Sequence, residues 1–136
     1  MPAACRSDVI FVVDASVSSS NFARMKPFLS QLVARFDINR RNTRVGLLTY
    51  ASSVRTRFYL SSYTSLASVQ RAIARLSYSA GSSNTAAALS FVRRYMLSST
   101  RGDRSNVPNV VIVLTDARST STSATKVCTM LTLLLL

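Results

Sequence analysis

Asp14, Ser16 and Ser18 stand at alternate positions of DASVS, directly after the apolar run in DVIFVVD, and two further oxygen donors occur in comparable settings, Thr85 in GSSNTAAAL and Asp116 in VIVLTDARS. Carboxylate and hydroxyl oxygens are hard ligands. A carboxylate with two or three hydroxyls, completed by water, suits the octahedral oxygen shell of Mg2+ or Mn2+. A cation held by so few negative groups keeps an open position that can accept a carboxylate from a partner. Other chemistry lacks its parts. The chain has no His and two Cys, Cys5 and Cys128, far apart in sequence, so neither a zinc site nor a His-dependent nucleophile can be assembled. General acid/base work would fall to Asp or Tyr alone, and an enzyme is not expected.

The donors must be brought together by the elements between them. DVIFVVD (8–14) is an unbroken apolar run, as expected of a central strand buried on both faces of a parallel sheet. Phe22, Met25, Phe28, Leu29, Leu32, Val33 and Phe36 then recur at helical spacing, with Pro27 predicted to kink that helix or delay its regular part. VGLLTY (45–50) reads as a second buried strand. VRTRFYL (54–60) alternates apolar and basic residues, which predicts a hairpin with a charged edge strand. Leu66, Val69, Ile73 and Leu76 predict a second helix. GSSN (81–84) can cap a third, running from about Thr85 to Met96. Pro108 opens NVVIVL (109–114), another buried strand. Alternating strands and helices predict a doubly wound, mostly parallel open α/β sheet with an antiparallel edge strand. In such sheets ligands bind beyond the carboxyl ends of the strands, where strand order reverses. Asp14, Thr85 and Asp116 all follow a strand or open a helix at that end.

At 136 residues and 48% hydrophobic content the chain can close one core. Seventeen basic residues against five Asp give a net charge of +12, which favours acidic or polyanionic partners through long-range attraction. Residues 1–7 hold no apolar core of signal-peptide length, and the apolar tail 127–136 is too short to span a bilayer.

The spacing Asp-x-Ser-x-Ser after an apolar strand, with Thr85 and Asp116 in order behind it, resembles the metal-ion-dependent adhesion site of the von Willebrand factor type A family. NFARMKPFLSQLVARFDI, TRVGLLTYAS and SNTAAALSFV are similar to members from extracellular matrix proteins such as matrilins, cochlin and type VI collagen. The resemblance covers residues 5–126, leaving 127–136 as a tail; over 124–136 periodicity does not separate a helix from a short strand, and a helix is expected. It implies that Asp14 supplies the first loop's carboxylate, that Ser16 and Ser18 bind metal through their hydroxyls, that Thr85 ligates directly in the ligand-bound state, and that Asp116 acts directly or through water. It also implies a non-enzymatic, extracellular domain that binds an acidic residue of a matrix protein or receptor through Mg2+. Nucleic acid and membrane are not expected partners. The chain departs from the family in having Ala117 where Gly is common. Only twenty residues follow Asp116, so the family's last strands are expected to be missing. Cys5 resembles the family's N-terminal flanking cysteine, but Cys128 is not at its partner's place, and a bridge between them is disfavoured.

Blander readings stand beside these. Asp14 and Asp116 can cap loops, and the serines 16–20 can cap a helix without metal. A different functional class is a basic module binding sulfated or acidic polysaccharide or a mineral surface, with a vestigial metal site; Arg40, Arg41 and Arg44, or Arg93 and Arg94, would carry it, although such residues more often form a solvated face. A Mg2+-dependent hydrolase is a third reading and lacks a nucleophile. Arg101-Gly102-Asp103 spells a tripeptide that integrins recognise, but in an Arg-rich chain a solvated turn is favoured. Phe22, Phe28, Phe36, Phe58 and Phe91 read as core.

Overall fold

The computed structural model describes residues 6–115; Cys5, Asp116, Ala117, Cys128 and the tail lie outside the described residues. Strand β1 (Ser7–Asp14) has β2 (Thr43–Tyr50) on one side and β4 (Asn109–Leu114) on the other, both parallel to it, while β3 (Val54–Phe58) pairs antiparallel with β2. The order is β3-β2-β1-β4, the mixed open sheet expected, with β1 central.

Alternation along β1 sorts the core into two layers. Val9, Phe11 and Val13 face the cluster containing Phe22, Leu29 and Val33 of α1 (Ser19–Val33) and Val69 and Ile73 of α2 (Leu66–Ala74). Ile10 and Val12 face Ala88 and Leu89 of α3 (Thr85–Phe91) together with Val92 and Met96 of the π-helical turn Val92–Met96 that continues it. Both faces of the sheet are therefore covered, which is why β1 reads as a continuous apolar run. Gly46 lets the chain after β3 approach β2 closely, since a Cβ there would lie 3.3 Å from the Leu60 amide nitrogen and would also displace the tip of Ile10.

Two details refine the expectation. Pro27 lies in the middle of α1, so the regular part of the helix is not delayed to that point. Phe28 is 51% exposed and is not core; at about 100° per residue it falls roughly 105° from the centre of the stripe formed by Phe22, Met25, Leu29 and Val33. Phe36 and Phe91 are half-buried. No helix among the described residues is long and apolar enough to cross a membrane.

Candidate metal centre

The strand order reverses between β1 and β4, and Asp14 is the last residue of β1. Its side chain is completely buried. The chain turns immediately: the Ser16 amide donates to Asp14 Oδ1 at 2.8 Å, a local turn that Asp favours by bonding the backbone two residues on. Ser16 Oγ donates to the same oxygen at 2.5 Å. Oδ2 accepts from Ser83 Oγ at 3.0 Å and from Thr115 Oγ1 at 2.6 Å. Four donors converge on one carboxylate, and none of them is cationic.

The loop that brings Ser83 is pinned across the strand ends, with the Ser79 amide bonded to Ala15 O and the Asn84 amide to Ala51 O. Asn84 then caps α3 by accepting from the Ala87 amide, as the polar GSSN loop suggested. That cap sets Thr85 in the first turn, buried, with its hydroxyl 2.8 Å from Tyr50 Oη. Tyr50 is the register partner of Asp14 on β2. Burial raises the pKa of its phenol above the ordinary value, the Thr85 hydrogen bond opposes that, and the charge of Asp14 adds to the rise. Tyr50 therefore stays neutral and serves as a donor or acceptor at the floor of the site.

Of the residues singled out in sequence, the structure gathers Asp14, Ser16 and Thr85 at one end of the sheet. Ser18 is exposed and acts as the N-cap of α1, its Oγ accepting from the Asn21 amide at 3.2 Å, which is the helix-capping role considered for that serine run. Asp116 follows Thr115 and lies outside the described residues. Sequence reasoning missed Ser83, Thr115 and Tyr50. Their signal was positional: each is within two residues of a singled-out position or is its register partner. Among the described residues no three His, Cys, Asp or Glu side chains cluster, so the centre consists of one carboxylate, several hydroxyls and a phenol. Those are the hard oxygen donors a small divalent cation requires.

The other end of β1 supplies a control. Asp8 is equally buried, but Arg104 grips it, with Nη2 at 2.7 Å and Nε at 2.9 Å from Oδ1, and the Arg104 amide donates to Oδ2 at 2.8 Å. The same guanidinium bonds the carbonyls of Ser7, Arg41 and Asn42. Arg101-Gly102-Asp103 forms a turn as expected, but it is only partly solvated: Arg101 is exposed, Gly102 buried and Asp103 half-buried. Arg101 lies over the Tyr59 ring at 4.3 Å, and Gly102 is buried at φ +99°. Asp103 Oδ1 is buried without a hydrogen bond, and burial, then the charge of Asp8, raises its pKa.

Comparison with known proteins agrees with this architecture. The family model of the von Willebrand factor type A domain matches residues 8–132. The chain is 39% identical over 119 residues to von Willebrand factor A domain-containing protein 2 of Xenopus laevis, covering 86% of this chain and 15% of that protein. It is 39% identical over 122 residues to Matrilin-1 of Mus musculus, covering 84% of this chain and 24% of the relative. It thus spans a quarter or less of the length of these relatives. Among solved structures, proximal thread matrix protein 1 of the mussel byssus, described with a zinc-occupied MIDAS motif, superposes with a TM-score of 0.77 at 29% identity over 86% of this chain and 30% of that one. The manganese-loaded Plasmodium vivax TRAP protein shares the fold, with a TM-score of 0.79 at 18% identity over 90% of this chain and 51% of that one.

Proposed function

The chain belongs to the von Willebrand factor type A domain family, and from that premise we propose that it is a non-enzymatic adhesion domain of an extracellular matrix or adhesion protein, binding an acidic residue of its partner through Mg2+ or Mn2+. Asp14, Ser16, Ser18, Thr85 and Asp116 would hold the cation. The domain would extend over residues 5–126, and its location would be extracellular.

The observation that carries this reading is the contrast between the two ends of β1. Buried charges in proteins are paired or coordinate metals. Asp8 has Arg104; Asp14, just as buried, has hydroxyls and an amide but no ion pair among the described residues. Neutral hydroxyls can turn their lone pairs toward a cation and their protons elsewhere, which a guanidinium cannot do. When bound, the cation supplies an electrophilic centre with an open position for a partner carboxylate. The chain's own residues do the rest: Asp14 provides the negative charge, Tyr50 orients the Thr85 hydroxyl, and the pinned loop at 79–84 fixes Ser83. The zinc-occupied motif described for the byssus protein supports a divalent-metal site in a relative of this fold.

A solid-phase adhesion assay on purified fibrillar matrix proteins tests the proposal. Binding is expected in Mg2+, lost in EDTA, restored by Mn2+, and absent in Asp14→Ala and Thr85→Ala, with only mild dependence on moderate salt. Binding that persists in EDTA and disappears as salt rises would refute it, because contacts between exposed charges are screened within about 8 Å at physiological ionic strength.

A further inference from the structure

We propose that a second site, on the flank of the molecule that runs from the loop after β3 along α2, binds a polysulfated polysaccharide. Two cavities of about 260 Å³ each adjoin there, and Tyr63 lines both. On one side of Tyr63 are Arg40 and Arg44 with the hydroxyls of Ser61 and Thr64; on the other are Arg71 and Arg75 with Ser68. Among the described residues no carboxylate lines either cavity.

These arginines are available in a way that others of the same region are not. The one ion pair among the described residues belongs to Arg104. Among the described residues Arg40 and Arg75 donate no side-chain hydrogen bond, and Arg71 makes only a long one, Nε to Ala67 O at 3.4 Å. Arg44 is held by Nε on Arg40 O and Nη1 on Gly102 O, which fixes the guanidinium and leaves Nη2 without a partner among the described residues. The nearest acid in sequence, Asp37, accepts from the side-chain amides of Asn39 and Asn42 within its own loop.

The arrangement fits a chain of repeated anionic groups better than a single anion. Ser68, Arg71 and Arg75 share one face of α2 at spacings of three and four, and Arg71 and Arg75 are ~6 Å apart along the axis. Guanidinium forks bind sulfate oxygens in pairs. The interleaved Ser and Thr hydroxyls can bond both sulfate and sugar. Tyr63 is steadied by an edge-on contact with Phe58, centroids 5.1 Å apart, and forms a wall between the two charge clusters. A single-stranded nucleic acid would instead need a row of aromatic faces for its bases. The exposed aromatics Phe28, Tyr78 and Tyr95 line neither cavity.

The test is binding of a size-defined heparin dodecasaccharide to the whole chain in EDTA, by calorimetry across a salt series. The variant Arg40→Ser/Arg71→Ser/Arg75→Ser is compared with Arg55→Ser/Arg93→Ser/Arg94→Ser, which removes equal charge elsewhere. The first is expected to lose affinity at least about tenfold and to flatten the slope of log K against log salt by roughly two, at about 0.7 per lost contact. The second should stay within about twofold. Replacing the same first three arginines by Lys keeps the charge and removes the forks, and is expected to give an intermediate loss. Equal losses in the two serine variants, no loss in the first, or equally tight binding of a single-stranded oligonucleotide with the same sensitivity would overturn the proposal. EDTA in every arm separates its failure from failure of the metal-dependent reading.

Discussion

Asp14→Asn removes one charge from a fully buried position while keeping the shape of the side chain, and its consequence has opposite signs with and without cation. Without metal, the new amide oxygen still accepts from the Ser16 amide and hydroxyl. The new NH2 faces Ser83 and Thr115, whose hydroxyls can rotate to accept. The lost charge-assisted bonds are offset by no longer burying an unpaired anion, so metal-free stability should lie within about 1 kcal/mol of the parent. With free Mg2+ at a hundred times its dissociation constant, the parent gains about 2.7 kcal/mol by preferential binding to the native state. For a chain of this length that is roughly 8–11 °C in melting temperature, and the variant should gain none of it. The assay is thermal unfolding followed by circular dichroism in EDTA and in MgCl2, with NaCl matched for ionic strength. An equal Mg2+ shift in parent and variant refutes the reasoning. So does a variant several kcal/mol weaker in EDTA, which would make Asp14 a structural anion.

Arg104→Ala should cost about 3–5 kcal/mol in chemical denaturation, because it leaves Asp8 buried and uncompensated; Asp8→Asn in the same background should recover part of it. Asp103→Asn should raise the melting temperature at neutral pH. The folded-state pKa of Asp103 is raised, so its ionised form opposes folding at neutral pH; the gain should shrink as pH falls through the raised folded-state value and vanish below the ordinary value of 3.8, where the carboxyl is protonated in both states. Gly102→Ala should destabilise by about 2 kcal/mol or more, since φ is +99° and the added Cβ would lie 2.6 Å from the Ser61 amide nitrogen.

The sequence made the sheet and the charge at its end legible for identifiable reasons. β1 and β2 are buried on both faces, so each appears as an apolar run; β4 reads the same way but is half-buried along its length among the described residues, and β3 at the edge shows its alternation, with Arg55 exposed and Arg57 turned back onto Thr49. Asn84 was readable as a cap because its side chain competes with the backbone in a way few residues do. Ser83 and Thr115 were not, since a hydroxyl in a Ser- and Thr-rich chain carries no pattern and its role depends on which loop crosses which strand. Tyr50 looked like the end of an apolar strand; its Oη bond to Thr85 depends on the strand register with Asp14. Phe28 was misread because a stripe of seven apolar residues is wider than the face α1 buries. Asp103 lies in a loop, as an Asp between Gly and Arg suggests, but only the fold brings it to Asp8.

The partners of Asp14 come from far along the chain: Ser83 is 69 residues away and Thr115 is 101. On a ribosome adding about 5–20 residues per second, the carboxylate would exist for roughly 5–20 seconds before Thr115 is even polymerised. The pocket also cannot close until β4 has docked on β1, which places it among the last features to form. A ligand bound there would have nothing to hold in an early nucleus. It would therefore leave the refolding rate nearly unchanged and express its whole effect as slower unfolding. The centre would act as a latch on the finished sheet and contribute nothing to the template on which the sheet is built.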